Sequence, residues 1–404
     1  MRIIHAADIH LDSPLAGMAR RQPDLEAVVR TCTRNAFSNL VDAAITHEAD
    51  ALLIAGDLYD ADHRNYETGL FFAREMQRLD RPCILIHGNH DSASQITKAL
   101  QPPPNVTILP SRRPDTVHLA ELGIAIHGQS FHGRAETEEL AAAYPARIVG
   151  AFNIGLLHTS LEDPGQHTRY APCRLETLLA RNYDYWALGH IHTRATLHEA
   201  PWIHFPGNTQ GRHVRETGPR GATLVEVGDD QRVRSLSFLP TDVLRWAVAR
   251  VDATGQDSME ALTTLIHFEL DAATREAEGR PVIVRVILMG QTTLHAALLA
   301  DPAGIDAQCL AAAAAVGVDV HIEAVKVRTA STGHAGNLAP LEQAVRAALA
   351  DPELTASLLG DFARLRNTLP AGSEVDVPQT AEGLDTLVDD AWEILRHAFT
   401  GAPR

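Results

Sequence analysis

Cysteine is sparse and never paired. Cys32, Cys83, Cys173 and Cys309 stand singly in a chain of 404 residues, with no CxxC among them. That spacing supports neither a zinc-finger framework nor a disulfide scaffold. Cys83 and Cys309 sit in apolar segments, where cysteine acts as a small buried hydrophobe. Long hydrophobic runs are also missing, and none approaches the ~20 residues a membrane-spanning helix needs. The N-terminus has no secretory layout, because its few apolar residues are interrupted by His5 and Asp8. The expectation is a cytoplasmic protein with no membrane partner. No Walker motif occurs, so the chain is not expected to hydrolyse nucleotides through a P-loop. Internal repeats are absent too.

What is present is an ordinary globular composition, 45% hydrophobic and 21% charged, long enough for two or three domains. The net charge of −16 is unevenly spread. Residues 1–240 carry 23 Lys and Arg against 28 Asp and Glu, a balance of −5, and the remainder carries 12 against 23, a balance of −11. The first part also holds 16 of the 21 histidines. If several of its acids bind metal, its effective charge moves towards neutral or positive. Overall charge therefore neither excludes nor supports a polyanionic substrate.

The organising stretch is Pro82 to Asp91, where the short apolar run Cys83 to Ile86 ends in His87-Gly88 and then delivers Asn89, His90 and Asp91. A run so short and apolar reads as a buried strand, and Gly88 permits a sharp turn at its end. The design recurs. Arg2 to Ala7 leads into Asp8-Ile9-His10, Ala51 to Ala55 into Gly56-Asp57, Ala151 to Leu157 into His158, and Tyr185 to Leu188 into Gly189-His190-Ile191-His192. Ligands of open α/β sheets bind outside the carboxyl ends of the strands. Five strands ending in Asp, Asn or His therefore point to one shared site.

Between these strands, Asn35 to Glu48 and Tyr66 to Leu79 carry apolar residues at helical spacing, which implies a parallel sheet with right-handed crossovers. Beyond Pro102-Pro103-Pro104 shorter strands begin, Val106 to Leu109 among them, and a helix is expected from about Ala171 to Ala180. These later strands, through Val233 to Leu239, should form a second sheet on the first. The fold class is thus α/β, a four-layer α-β-β-α sandwich over residues 1–240. Residues 241–330 read as a small α/β capping domain of ferredoxin-like character. Gly333 to Asn337 reads as a linker. Residues 331–404 are an acidic helical tail with apolar stripes at Leu341 to Leu369 and Leu384 to Phe399, expected to dock on a partner.

Asp8, His10, Asp57, Asn89, His158, His190 and His192 make seven candidate metal ligands. That exceeds what one octahedral ion needs, and two ions bridged by the Asp57 carboxylate fit the count. Mixed nitrogen and oxygen donors with few carboxylates suit Mn²⁺ or Fe²⁺ better than Mg²⁺. The resulting pocket is electropositive and suited to a phosphate ester.

Asp-Ile-His, Gly-Asp-Leu-Tyr-Asp, Gly-Asn-His-Asp, Leu-Leu-His and Gly-His-Ile-His, in this order over Asp8 to His192, resemble the calcineurin-like metallophosphoesterase superfamily. Within it the chain most resembles bacterial DNA repair exonucleases of the SbcD and YhaO type, and Gly207 to His213 with Glu216-Thr217-Gly218 is similar to a YhaO-like segment. The resemblance implies Asp8, His10, Asp57 and His192 on one cation, and Asp57, Asn89, His158 and His190 on the other. It implies His90 as the catalytic histidine that is not a ligand, held by Asp91. The phosphoprotein phosphatases of the superfamily place Arg directly after the residue matching Asp60; Ala61 stands here, which favours a diester. The implied activity is a DNA exonuclease or endonuclease using a two-metal-activated hydroxide, with Mn²⁺ as the implied metal. The implied partners are DNA, a coiled-coil ABC-type ATPase of the SbcC or YhaN kind, and a second copy of the chain.

Two rival functions share these residues, a phosphodiesterase for small nucleotides and a non-catalytic adaptor with a vestigial site. His5, His47, His87, His127 and His132 match no ligand position, and His5 and His127 read as structural strand residues. Arg212 and His213 stand equally for substrate phosphate contacts and for stabilisers of their loop.

Overall fold

The computed structural model describes residues 1–13, 26–60, 66–93, 101–161, 171–332, 339–368 and 378–400. The first half alternates β1 (Arg2–Ala6), α1 (Glu26–Thr46), β2 (Ala51–Ala55), α2 (Tyr66–Leu79), β3 (Cys83–Ile86), the short α3 (Asn89–Ala93) and β4 (Val106–Ile108). Then come β5 (Asp115–Leu119), β6 (Ile124–Gly128), β7 (Phe152–His158), a helix at Leu175–Ala180, β8 (Tyr185–Gly189), β9 (Ala195–Glu199), β10 (Trp202–Phe205), β11 (Gly221–Val227) and β12 (Val233–Pro240).

Two six-stranded sheets form, in the orders β12-β11-β1-β2-β3-β4 and β5-β6-β7-β8-β10-β9. In the first, β1 through β4 are parallel; in the second, β6, β7, β8 and β10 are parallel. Both faces of the central strands are covered, which is why they read as unbroken apolar runs. Ile4, Leu52, Ile54 and Leu85 pack under Phe37, Leu40, Phe72 and Met76 of α1 and α2. Their neighbours Ile3, Leu53, Ile84 and Ile86 meet Ile126, Phe152, Ile154 and Leu156 of the second sheet. On the far side Leu157, Trp186, Leu188 and Ile203 pack against Leu178 and Tyr144. These clusters make the four expected layers.

The sheets are divided differently from the sequence expectation. Strand β4 joins the first sheet beside β3, and β11 and β12 return to it beside β1. The reason is topological, because β1 leaves an open edge that only a later segment can pair. Helix α1 begins well before Asn35, since Val29 and Cys32 belong to a separate apolar cluster with Val214, Leu244, Trp246 and Ile283. The helix expected from Ala171 starts only at Leu175; Ala171 has φ +41° and precedes Pro172, and a residue before proline is biased away from helix.

The described residues divide into two compact units. The first is Met1–Val248 with Ala273–Val284 and Asp319–Glu323. The second is Ala249–Ala272, Arg285–Val318 and Ala324–Arg404. A three-stranded sheet of order β13-β14-β15 is built from β13 (Arg245–Asp252), β14 (Val282–Thr292) and β15 (Val320–Ser331), with helices Met259–Glu276 and Pro302–Val316 between the strands. The mixed α/β character is as expected. The ferredoxin-like detail is corrected, because the described strands number three and lie in sequential order.

The tail is helical at Ala339–Leu349, Pro352–Thr368 and Ala381–Thr400. Asp351, which accepts the Glu353 N–H at 2.9 Å, and Pro352 split the first expected segment in two, a stop and start that apolar periodicity passes over. Arg346 joins Asp389 at 2.7 Å, and Leu384 and Trp392 are buried. The Gly333 to Asn337 linker lies outside the described residues. Among the described residues, no helix is long and apolar enough to cross a membrane.

Candidate metal centre

The carboxyl ends of β1, β2 and β3 in one sheet and of β7 and β8 in the other converge on a single locus. The backbone is forced there. Asp8, His10, Asp57 and His190 have φ values of +51°, +48°, +52° and +98°, a region that L-residues rarely enter and that clusters at functional sites. Packing leaves no slack either: a Cβ on Gly88 would lie 2.3 Å from Asp57 Oδ1.

Asp57 occupies the middle. Its Oδ2 is 3.5 Å from His158 Nε2 and 3.9 Å from His10 Nε2, and its Oδ1 accepts the His90 backbone N–H at 2.9 Å. On one side Asp8, His10 and His192 bring one donor atom each within 4.8 Å of the others; on the other, Asp8, Asp57 and His158 do the same. Asn89 Oδ1 stands 3.0 Å from His158 Nε2, and the His190 ring packs edge-on against His158 with centroids 5.1 Å apart. The Asp8 carboxylate accepts the His190 backbone N–H at 3.0 Å. All seven expected residues thus lie together.

Three of the imidazoles are held from behind. His158 Nδ1 faces the Ala55 carbonyl at 2.9 Å, His192 Nδ1 the Glu216 carboxylate at 2.6 Å, and His10 Nδ1 the Asp60 carboxylate at 3.2 Å. Such partners fix the tautomer and leave Nε2 for a metal. His10 Nε2 is buried with no hydrogen-bond partner, and an orphaned ring nitrogen in a buried site is what a cation would satisfy.

The electrostatics agree with this donor set. Burial pushes the Asp57 carboxyl up to about 7, with the nearby Asp91 carboxylate adding to the rise. Burial and then Asp57 raise Asp8 well above the usual carboxylate range. His10 and His158 are lowered by burial, which leaves them neutral, as ligands must be. Two buried carboxylates that cannot easily ionise alone, beside neutral imidazoles and an amide oxygen, fit two divalent cations.

His90 differs from the rest. Its side chain is 33% exposed and its Nδ1 is 2.7 Å from Asp60 Oδ1. Burial would lower its pKa, but Asp60 and then Asp57 outweigh burial and raise it. Asp60, despite its burial, is held well below the usual range by His10 and His90. A part-exposed histidine whose protonated form is favoured by a neighbouring carboxylate is suited to giving up a proton.

This corrects the expected role of Asp91. Its carboxylate accepts the backbone N–H groups of Leu58 at 3.1 Å, Tyr59 at 2.7 Å and Gly88 at 3.0 Å. It fixes the loops after β2 and β3, while Asp60 takes the place behind His90. The physical reason is that Asp91 lies on the first turn of α3 and is fully buried, where the backbone N–H groups of the two loops take up its carboxylate.

Sequence reasoning missed Asp60 and Glu216 as partners of the histidines. Glu216 also accepts from Asn208 Nδ2 at 2.9 Å and from the Arg212 N–H at 2.7 Å. Asp60 carried a local signal, as part of Gly-Asp-Leu-Tyr-Asp; Glu216 stood in the YhaO-like Glu216-Thr217-Gly218 stretch, but at 24 residues from His192 nothing in the sequence paired the two. His5 and His127 are structural, as expected. His5 reaches Tyr185 Oη at 2.9 Å and the Leu188 carbonyl at 3.1 Å; His127 reaches Thr116 Oγ1 at 2.8 Å and Asn153 Oδ1 at 3.1 Å. All four cysteines are free and buried.

Known proteins share this arrangement of sequence. Residues 1–194 match the family described as Calcineurin-like phosphoesterase, and residues 246–330 the one described as Metallophosphoesterase YhaO, middle domain. The chain is 35% identical over 298 residues to the uncharacterized metallophosphoesterase YhaO of Bacillus subtilis, covering 72% of each. It is 28% identical over 310 residues to the DNA double-strand break repair protein Mre11 of Haloferax volcanii, covering 74% of this chain and 64% of that one. It is 21% identical over 299 residues to the SbcD component of the SbcCD nuclease of Staphylococcus saprophyticus, covering 67% and 76%.

Proposed function

Because this chain belongs to the calcineurin-like metallophosphoesterases, with YhaO among its relatives, we propose that its two-cation centre hydrolyses phosphodiester bonds in DNA. The observation that carries the two-cation reading is the Asp57 carboxylate, whose Oδ2 lies between His158 Nε2 and His10 Nε2. In this reading Asp8, His10, Asp57 and His192 hold one cation, and Asp57, Asn89, His158 and His190 the other. Bound divalent cations supply Lewis-acid polarisation of the phosphate and an acidified water. The mixed donor set favours Mn²⁺.

The chain's own residues do the rest. The histidines held by Ala55, Asp60 and Glu216 present Nε2 in a fixed direction. His90, charged against Asp60, is the proton donor to the departing sugar oxygen. Asp91 positions the two loops that carry Asp57 and Asn89. DNA is favoured as substrate because one relative is named for DNA double-strand break repair and another as part of a nuclease. By the same likeness, residues 1–240 are the nuclease part, 241–330 a cap, and 331–404 the dock for a coiled-coil ABC-type ATPase. A homodimer in the cytoplasm completes the proposal.

The test is the purified chain on end-labelled duplex and single-stranded DNA with Mn²⁺, with Mg²⁺, and with chelator. Cleavage that requires Mn²⁺, is abolished by chelator and is lost in H90A supports the reading. Hydrolysis of small cyclic or linear nucleotides with intact DNA replaces DNA as the substrate. An H90A variant as active as wild type removes the assigned chemistry altogether.

A further inference from the structure

Arg212 stands where two otherwise separate supports of the centre meet. Its guanidinium Nη1 is 3.7 Å from Asp60 Oδ2, and its Nη2 is 3.9 Å from Glu216 Oε1. Asp60 backs His10 and His90, and Glu216 backs His192. Arg212 Nη1 also donates to Ser13 Oγ at 3.3 Å, on the loop that follows β1. That loop is itself fixed, because Asp12 takes a two-pronged contact from Arg34 at 2.6 and 2.5 Å and its N–H meets Thr33 Oγ1 at 3.0 Å.

The two carboxylates it approaches stand at the Nδ1 atoms of His10, His90 and His192, away from the Nε2 atoms of His10 and His192 that would hold a cation. Its side chain is only 16% exposed and its Nε is buried with no hydrogen-bond partner. An arginine meant to grip a substrate phosphate would present its fork to solvent. This one faces two carboxylates at a distance where charge acts without a direct hydrogen bond. Its positive charge is felt at Asp8, His10, His90 and His192. Without it, Asp60 would keep its two imidazoles and Glu216 its imidazole, the Asn208 amide and the backbone N–H of residue 212, but the guanidinium that approaches both carboxylates would be gone.

We infer that Arg212 is a positioning residue that ties Asp60 and Glu216 together, so that one guanidinium sets the orientation of His10, His90 and His192. The inference rests on the two-cation reading of this centre. It adds that the histidines beyond the ends of β1, β3 and β8 are adjusted as one unit from the segment between β10 and β11.

The full chain is compared as wild type, R212Q, R212K and E216Q. Three readouts are needed: Co²⁺ affinity by competition against a chelator, the ligand-field spectrum of the Co²⁺-loaded protein, and kcat and KM on end-labelled duplex DNA with saturating Mn²⁺. R212Q is expected to weaken Co²⁺ binding roughly 10- to 100-fold, to alter the cobalt spectrum, and to lower kcat with KM within about twofold of wild type. R212K, able to reach only one carboxylate, restores part of the affinity. E216Q keeps Arg212 and weakens only the cation position that includes His192. Unaltered Co²⁺ affinity and spectrum in R212Q overturn the inference, whatever its stability. So does an effect confined to KM with a shallower salt dependence, which makes Arg212 a phosphate contact. If R212Q fails to fold, R212K and E216Q decide by the same criteria. The cobalt arm uses no substrate, so a wild type that binds two cations and leaves DNA intact ends the nuclease reading alone.

Discussion

Asp60 Oδ1 stands 2.7 Å from His90 Nδ1, and the neighbouring Asp91 carboxylate is turned instead to three backbone N–H groups. Two acids close to the same histidine therefore have different work, and substitution separates them. Asp60→Asn is expected to lower kcat about 100-fold by removing the charge that holds His90, with the melting temperature little changed. Asp91→Ala leaves three buried donors unpaired and is expected to cost roughly 3–5 kcal/mol of stability. Steady-state kinetics beside thermal melts check both; equal losses of kcat and stability in the two variants would contradict the assignment.

Gly88 is held by contact rather than by a turn. Its missing Cβ would meet Asp57 Oδ1 at 2.3 Å and His158 Nε2 at 2.8 Å. Gly88→Ala is expected to displace the central carboxylate and to lower Mn²⁺ affinity at least ~10-fold. Metal content after dialysis against a chelator gradient measures it.

Asp57 sets a pH signature in the chelated protein. Its folded pKa of about 7 lies above that of a free carboxylate. Between roughly pH 4 and 7 the folded state thus keeps a proton that the unfolded chain releases, and stability falls as pH rises through that window. His10 and His158, lowered by burial, act the other way below their ordinary range, so the comparison must be with a variant. Chelated Asp57→Asn should match wild type near pH 4 and exceed it by on the order of 3 kcal/mol at pH 8. Parallel denaturant curves across this range, with a difference that is flat in pH, would count against the burial argument.

Asp242 provides the control away from the centre. It joins Arg245 at 2.9 Å and Arg280 at 3.1 Å, and Arg245 is almost fully buried. Asp242→Ala leaves that guanidinium only the exposed Glu278 carboxylate, at 2.9 Å, to balance it, and is expected to cost about 3 kcal/mol. Mn²⁺ affinity per folded molecule should stay at the wild-type value, as metal titration below the melting transition will show.

The strands, the helices between them and the polar residues at their ends are local features, and each was legible in sequence. A buried parallel strand is mainly apolar, its few polar residues such as His5 and His127 being hydrogen-bonded, and a residue delivered at its carboxyl end must be polar to do chemistry; hence the signal at Asp8, Asp57, Asn89, His158 and His190. The return of β11 and β12 to the first sheet was not legible, because an unpaired edge on β1 is a property of the assembled sheet. Nor was the early start of α1, which depends on Val29 and Cys32 meeting Trp246 and Ile283.

By itself the sequence determined which side chains can bind metal, since their identity and their place at strand ends are written in order along the chain. Only the tertiary structure decided what stands behind them. Asp91 adjoins His90 in sequence, and Asp60 lies a helix and a strand away, yet it is Asp60 that reaches Nδ1. Glu216 and Arg212 arrive from a distant segment to hold His192 and Asp60. A ring's orientation depends on which group packs against its far nitrogen, and that contact exists only once both sheets have closed on each other.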